Sequence, residues 1–500
     1  MRITNKMMTT NCLNDINKNK NSLNKLQQQY STGKKISTPS EDPVVAVRAL
    51  KLRSNYVELT QYLEKNIPSA QSWMDQTEGA LTNVNTLLTT AYEQFTQGAN
   101  DTLSVEDRDS IMKNLQEIVK QVYQEGNTQY AGRYVFSGYK TDTSLSFTED
   151  TTHLKYEITE TFSGKDITPV TYVTNGYSVG DYDATNPDAS KFDTTPTTVE
   201  AYRIRLSYKD ITVAAGQTEI EYTIPGSTTP LKATIVSSDD ANAYVVADGQ
   251  KAHFIPETGE LIFSKSQYDT YSKLGDGEIS ITYNKDSFNQ FDLRPEHYFD
   301  VNVTDTTKNP ADSGYYTEYK VETQKIDYEI NFGQKLTVNT EGKDCLDHTL
   351  AREVEELSAI VYKMSSLEAD IAEVKSKLSE ENISDNQKEA LTKLQEQLET
   401  QYTLQSKIMS DRFAKGMTTI KGLQDQVNAS VSDLGARYTR LELTESRLKD
   451  QQTELEDLIS TNEDADMVET VIKYNSQQTI YNAALSVAAK AVKNSLLDYI

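Results

Sequence analysis

The chain has 500 residues, more than one ordinary hydrophobic core can organise, so roughly two to four structural units are expected. Fifty basic side chains against 75 acidic ones leave a net charge of −25. That excludes nucleic acid, whose phosphates need a basic partner, and it disfavours indiscriminate association. There is no run of eighteen apolar residues and no apolar leader behind Met1-Arg2-Ile3-Thr4-Asn5. Neither a membrane span nor a cleaved signal peptide is therefore expected, which fits a cytoplasmic chain or one exported without cleavage. With only Cys12 and Cys345, a disulfide framework is excluded, and both thiols read as small packing residues.

In chain order, residues 1–32 read as an amphipathic helix closed by Gly33, a residue suited to the left-handed position after a helix. Leu13, Ile16, Lys20, Leu23, Gln27 and Tyr30 follow the 3–4 spacing of a coiled-coil seam. Asn14, Asn17, Asn21 and Asn24 line the polar side and make this helix marginal in isolation. Asp42-Pro43 opens a second helix as cap and first turn, and Pro68 must kink or divide it. Beyond it, Ala70, Met74, Thr77, Leu81, Val84 and Leu88 predict a buried face. Ser104 to Asp107 resembles a capping box for a helix carrying Ile111, Leu115, Ile118 and Val122, which Gly126 closes.

Near residue 134 the period changes from helical to alternating. Up to about 340 the chain is rich in Thr, Tyr, Val and Ile, as in Thr218-Glu219-Ile220-Glu221-Tyr222, and Glu257 to Glu260 reads as a hairpin turn. This predicts an antiparallel β region. Helix returns at about 345, where Leu357, Ile360, Met364, Leu367, Ile371, Val374 and Leu378 keep 3–4 spacing. Leu391, Leu394 and Leu398 begin a second such helix, so 355–410 reads as a self-packed hairpin. A separate helix from about 417 to 459 follows, and Ser460 to Glu463 reads as the capping box of a terminal helix. Its stripe is Tyr481, Leu485, Ala488, Val492, Leu496 and Tyr499.

The expected fold class is α+β, with a nested helical core. An assembly helix in 1–40 pairs with 461–500; 41–140 and 345–460 form the two halves of the core; 141–344 is an inserted β-rich, outward-facing domain. Two terminal stripes that cannot bury themselves point to assembly, against the plain alternative of ordinary core. The candidate interface residues are Leu13, Ile16, Leu23, Tyr30, Leu485, Val492, Leu496 and Tyr499. Charge adds a weaker clue: 1–35 carries seven bases against Asp15, whereas 441–470 carries ten acids against Arg447 and Lys449.

No catalytic, metal or cofactor site is read. His153, His253, His297 and His348 are scattered, no Cys-x-x-Cys, nucleophile elbow or phosphate loop occurs, and Gly275 to Glu278 lacks the ligand series of a calcium loop. The basic start could also suit a membrane surface, but its asparagines dilute that signal.

Three segments carry a resemblance. Tyr30-Ser31-Thr32-Gly33-Lys34-Lys35-Ile36-Ser37 with Pro39-Ser40-Glu41-Asp42-Pro43 is the most specific; Gly132 to Gly138, and Asp464-Ala465-Asp466-Met467 with Ser495 to Tyr499, are the others. Over about 1–140 and 415–500 the chain resembles the flagellin superfamily, and within it the hook–filament junction branch. The 355–410 hairpin falls outside the usual pattern of that branch. The resemblance implies a structural protein, not an enzyme, that passes unfolded through the flagellar type III export channel with a cytoplasmic chaperone. It implies addition beyond the first hook-associated protein, as a ring of its own copies on which flagellin polymerises. Flagellin itself, or a surface adhesin using the β insert, are the alternatives.

Overall fold

A computed structural model describes residues 5–100, 102–227, 229–240, 242–380 and 383–493. The described helices are α1 (Asn5–Thr32), α2 (Pro43–Gln61), α3 (Ile67–Gly98), α4 (Val105–Glu125), α5 (Lys265–Tyr271), α6 (Thr349–Leu378), α7 (Asp385–Glu463) and α8 (Met467–Lys493). The chain divides into two compact units, one of Met1–Ala70, Tyr328–Leu336 and Thr439–Ile500, the other of Gln71–Asp327 and Thr337–Tyr438. The class is α+β.

In the first unit, Gly33 sits at φ +69°, where only glycine is unstrained, and ends α1. Asp42 caps α2 by accepting from the Val44 and Val45 amides at 3.0 and 3.2 Å. Ahead of Pro68 the chain does not break. It passes through one π-helical turn, Tyr62–Asn66, which absorbs the amide that proline cannot supply.

The second unit is built on β1 (Gln129–Tyr130), β2 (Arg133–Tyr134), β3 (Leu154–Phe162), β4 (Thr168–Thr174), β5 (Thr197–Arg205), β6 (Glu219–Thr223), β7 (Leu231–Ile235), β8 (His253–Ile255), β9 (Glu260–Phe263), β10 (Ile279–Lys285), β11 (Asp300–Asp305) and β12 (Tyr316–Tyr319). Ten of them form one sheet in the order β12-β11-β3-β10-β6-β7-β8-β9-β5-β4. The predicted antiparallel pattern holds except at β7–β8, which pair parallel. The long connection between those strands carries the chain back so that β8 runs beside β7 in the same direction, an exception that alternation cannot reveal because side chains keep period two in either direction. The sheet's core gathers Phe147, Tyr156, Phe254, Phe263 and Tyr283.

Among the helices of this unit, the faces read from the sequence are inside: Met74, Thr77, Leu81, Val84 and Leu88 of α3, and Ile111, Leu115, Ile118 and Val122 of α4. Two expectations are corrected. The 391–410 and 417–459 helices are one helix, because 411–416 holds no proline or cap and Gly416 has a packing role. A Cβ there would lie 2.1 Å from the Phe95 ring, and one on Gly98 would lie 2.3 Å from Phe413. The two rings meet edge to face at 6.0 Å, so each glycine admits the other helix's phenyl. The 355–410 hairpin is likewise not packed on itself alone. Phe192, from the insert, is buried among Leu367, Val374, Leu391, Leu394 and Leu398, with Tyr177 and Tyr182 beside it.

Arginines of β5 tie the sheet to the helices. Arg203 and Arg205 reach Glu356 of α6 at 2.5 and 2.6 Å, and Arg412 of α7 lies 2.8 Å from the same carboxylate. Arg203 also pairs with Glu260, and Arg205 with Glu353. Burial alone would raise the Glu356 carboxyl, but the guanidinium groups of Arg203, Arg412 and Arg205 outweigh it and hold it at about 2.

Candidate assembly interface

The candidate site lies wholly in the first unit, where α1 packs along α8. The register of the seam follows from the partner. The half-buried positions include Cys12, Ile16, Asn19, Leu23 and Leu26 on α1 and Tyr474, Gln477, Tyr481, Ala484 and Ala488 on α8. Both series keep 3–4 spacing, the signature of helices meeting along a coiled-coil seam. Gln477 donates to Asn19 Oδ1 at 3.2 Å inside that seam. Alanines at 484 and 488 leave little bulk, so the helices approach closely there.

The candidate residues separate into two groups. Ile16 and Leu23 lie in the α1–α8 seam. Leu13 (54% exposed), Tyr30 (50%) and Leu485 (42%) face outwards, although the Tyr30 ring still stacks on Tyr474 at 6.4 Å. Val492 falls in the last turn of α8; its side chain, with Leu496 and Tyr499, lies outside the described residues. Cys12, Asn19 and Leu26 were missed by the sequence reading. Their own 3–4 spacing was the available signal, but Asn19 is polar and interrupts the apolar repeat.

A joint holds the base of this pair. The Lys35 amide donates to the Glu463 carbonyl at 2.7 Å and the Ala465 amide to the Gly33 carbonyl at 2.8 Å, so 33–35 and 463–465 form a minimal antiparallel bridge. Around it, Arg53 grips Glu463 through two nitrogens, its Nε at 2.8 Å, and Lys34 pairs with Asp464. Ser460 donates to Asp464 Oδ2 at 2.6 Å. Ser460–Glu463 is therefore not a capping box. It ends α7, and Asp466 caps α8 by accepting from the Val468 and Glu469 amides at 2.9 and 3.0 Å. The cap shifted because the joint already engages Glu463 and Asp464.

The hydrogen bond from Arg53 to Glu463, and those from Lys34 and Ser460 to Asp464, hold both carboxyls below their ordinary values. For depressed acids the stability is present above the unfolded values, near 4, and is lost as pH falls through the lower folded ones. Acidification through that window should loosen the joint. Protection of the Lys35 and Ala465 amides from hydrogen exchange, relative to the intrinsic rate at each pH, should fall below about pH 4 in the wild type. With Glu463→Gln the fall should be smaller, from a lower starting protection. An unchanged pH profile in the variant would mean that Glu463 does not hold the joint.

Histidines of the second unit serve packing. His348 meets the Tyr208 hydroxyl at 2.8 Å, and burial lowers it to about 3; His297 contacts the Ser144 carbonyl at 3.1 Å, and burial lowers it to about 4. Among the described residues no group of three or more His, Cys, Asp or Glu side chains is placed to hold a metal. No described helix is long and apolar enough to cross a membrane.

Fold and site together define a subunit in which α1 and α8 pair as one helical coil that leaves several apolar side chains exposed. Residues 3–141 match the bacterial flagellin N-terminal helical region and 417–500 the bacterial flagellin C-terminal helical region, so each end of the chain is similar to the corresponding end of flagellins. It is similar to the flagellar hook-associated protein 3 of Salmonella typhimurium, 36% identical over 143 residues (28% of this chain, 45% of that protein). It is 32% identical over 145 residues to the Escherichia coli protein of that name (29% and 45%). The alignments thus span less than half the length of these relatives. A solved flagellar hook-associated protein-3 from Legionella pneumophila overlaps 82% of this chain and 97% of its own at 13% identity and a TM-score of 0.29, too slight a likeness for inference about fold.

Proposed function

We propose that the chain is a structural adaptor of the bacterial flagellum that joins hook to filament. It leaves the cell unfolded, aided by a cytoplasmic chaperone, and adds to the hook beyond the first hook-associated protein. There it forms a ring of its own copies on which flagellin grows. The observation that carries this is the α1–α8 pair: its seam is only half-buried, while Leu13, Tyr30 and Leu485 stay open to neighbours. On the sequence stripe alone, Val492, Leu496 and Tyr499 are assigned to the same interface. Heterologous contacts of this kind repeat by rotation and rise into tubes. The acidic surface keeps free copies apart until such contacts form. Similarity to the two hook-associated proteins favours the junction over the filament subunit.

Deleting the gene tests this reading. Bare hooks with secreted, unassembled flagellin are expected, and the protein should be scarce relative to flagellin in wild-type flagella. Full-length filaments in the deletion strain would overturn the adaptor role, and abundance equal to flagellin would make the chain a filament subunit.

A further inference from the structure

The first unit holds a feature that the terminal coil does not use. The chain leaves the sheet unit and returns as a hairpin of β13 (Asp327–Asn331) and β14 (Gln334–Thr337). Gly333, at φ +64°, makes its turn, and the tip residue Phe332 is 82% exposed. The tip is tied in place from several sides. Asn66 Nδ2 donates to the Glu329 carbonyl at 2.8 Å, the Gly333 amide to Glu329 Oε1 at 3.3 Å, and Arg447 Nη2 to Gln334 Oε1 at 3.2 Å. Tyr62 donates to Glu58 at 3.1 Å; burial, then that hydrogen bond, push its hydroxyl up to about 12. A phenyl ring presented to water at a braced hairpin tip is an apolar surface awaiting cover.

Beside Phe332 runs a groove of about 540 Å³ between the end of α2 and the last turns of α7. Leu59, Tyr62 and Leu458 give it an apolar floor and side, and Glu58 and Glu454 make it acidic. A fitting partner presents an apolar ridge flanked by bases. In a chain of net charge −25 such faces are few, yet the first half of α2 is one. Val44, Val47 and Leu50 are each about two-thirds exposed and follow one another at three-residue steps, a continuous ridge of the kind that seats in a groove. Arg48 and Lys51 flank that ridge, both exposed, and no acid occurs between Pro43 and Val57. The apolar residues on the outside of α1 (Met7, Met8, Leu13 and Tyr30) are scattered and form no such ridge.

We infer that the groove receives the first half of α2 from a second copy of the chain, with Val44, Val47 and Leu50 against Phe332 and Leu458, and Arg48 and Lys51 against Glu58 and Glu454. Ridge and groove are different surfaces of the same unit, so the contact is head-to-tail and propagates from copy to copy. The inference rests on the proposed ring of like subunits and names a surface for it outside the terminal coil.

Disulfide trapping on the purified full-length chain tests the contact. Val47→Cys mixed with Phe332→Cys under mild oxidation should give a linked dimer at least about tenfold faster than Leu13→Cys mixed with Phe332→Cys, which corresponds to about 1.4 kcal/mol of preference. Wild-type protein carrying Cys12 and Cys345 sets the background. Glu58→Lys with Glu454→Lys in the Phe332→Cys partner should slow trapping. Arg48→Glu with Lys51→Glu in the Val47→Cys partner should restore it. All these positions are on the surface and only Glu58 accepts a hydrogen bond from a buried group, Tyr62, so melting temperatures should move by no more than the loss of that one bond. Equal trapping of Leu13→Cys would give the groove to α1 and overturn the assignment, as would background rates for every pair or a charge reversal without rescue. The readout does not depend on where the protein acts. Full filaments in a deletion strain, with trapping intact, would sink the adaptor role and leave this contact standing.

Discussion

Removing residues 1–30 should abolish incorporation at hook tips while leaving a folded, soluble protein. Among the described residues of α1 none is buried, and Thr470 is the only buried residue of α8. The buried apolar residues begin at Ala46 and gather in α3, α4, the sheet, α6 and α7, so the truncation opens no cavity. What it removes is one strand of a two-helix coil, and a lone helix of that composition is marginal in water. Its outer face, Leu13 and Tyr30, goes with it. Circular dichroism should therefore show the main melting transition within about 2 °C of wild type, because no core contact is lost. Electron microscopy of cells carrying only the truncated gene should show bare hooks. Truncation at residue 475 should behave in the same way, since it removes Tyr481, Ala484 and Ala488 from the other side of the seam. Filaments of ordinary number in either strain would show that the coil is dispensable for assembly.

Replacing Glu356 by alanine should destabilise the sheet unit by about 3–5 kcal/mol, the range for removing one partner of a buried ion pair. Three guanidinium groups converge on this carboxylate from two structural layers, Arg203 and Arg205 from β5 and Arg412 from α7. Arg203 is almost fully buried and keeps Glu260 and the neutral Tyr172 hydroxyl, at 3.0 Å, when Glu356 is lost. Arg205 retains Glu353. The loss should thus fall mainly on Arg203 and Arg412, left with positive charge in a dry environment. Urea unfolding followed by circular dichroism measures the effect, and Glu356→Gln should recover only a minor part, because an amide offers one acceptor oxygen and no charge. A loss below about 1 kcal/mol would mean that water reaches the arginines and that the cluster does not pin the sheet to α6. With folded carboxyls depressed as far as Glu356, the contribution persists at ordinary pH and disappears only in strong acid, as pH falls through about 2.

The two effects differ in kind. Loss of Glu356 lowers the stability of one unit whether or not assembly occurs. Loss of the terminal coil leaves stability alone and removes contacts made only between copies. A strain with Glu356→Ala should therefore produce too little folded protein, whereas the truncations should produce normal protein in the wrong place.

Local chemistry was legible from the sequence. Gly33 ends α1 because its φ of +69° disfavours any side chain, and Asp42 and Ser104 start α2 and α4 because each offers an oxygen to unpaired amides of the first turn. The buried faces of α3 and α4 and the α+β class rest on spacings within a few dozen residues. Other features needed the folded chain, because the groups that decide them are distant in sequence. On α1, the set Cys12, Ile16, Asn19, Leu23, Leu26 and the set Leu13, Ile16, Lys20, Leu23, Gln27, Tyr30 both satisfy a 3–4 repeat, and only α8 selects between them. The sheet order follows long-range pairings such as β3 with β10, and nothing in either strand names the other. That 391–410 and 417–459 are one helix depends on Gly416 admitting the Phe95 ring, a contact between residues far apart in the chain. The acids of 441–470 read as one patch, yet tertiary structure divides them. Glu463 and Asp464 lock the joint to Arg53 and Lys34, whereas Glu454 lines an open groove, because charge takes its role from what the fold brings within a few ångströms.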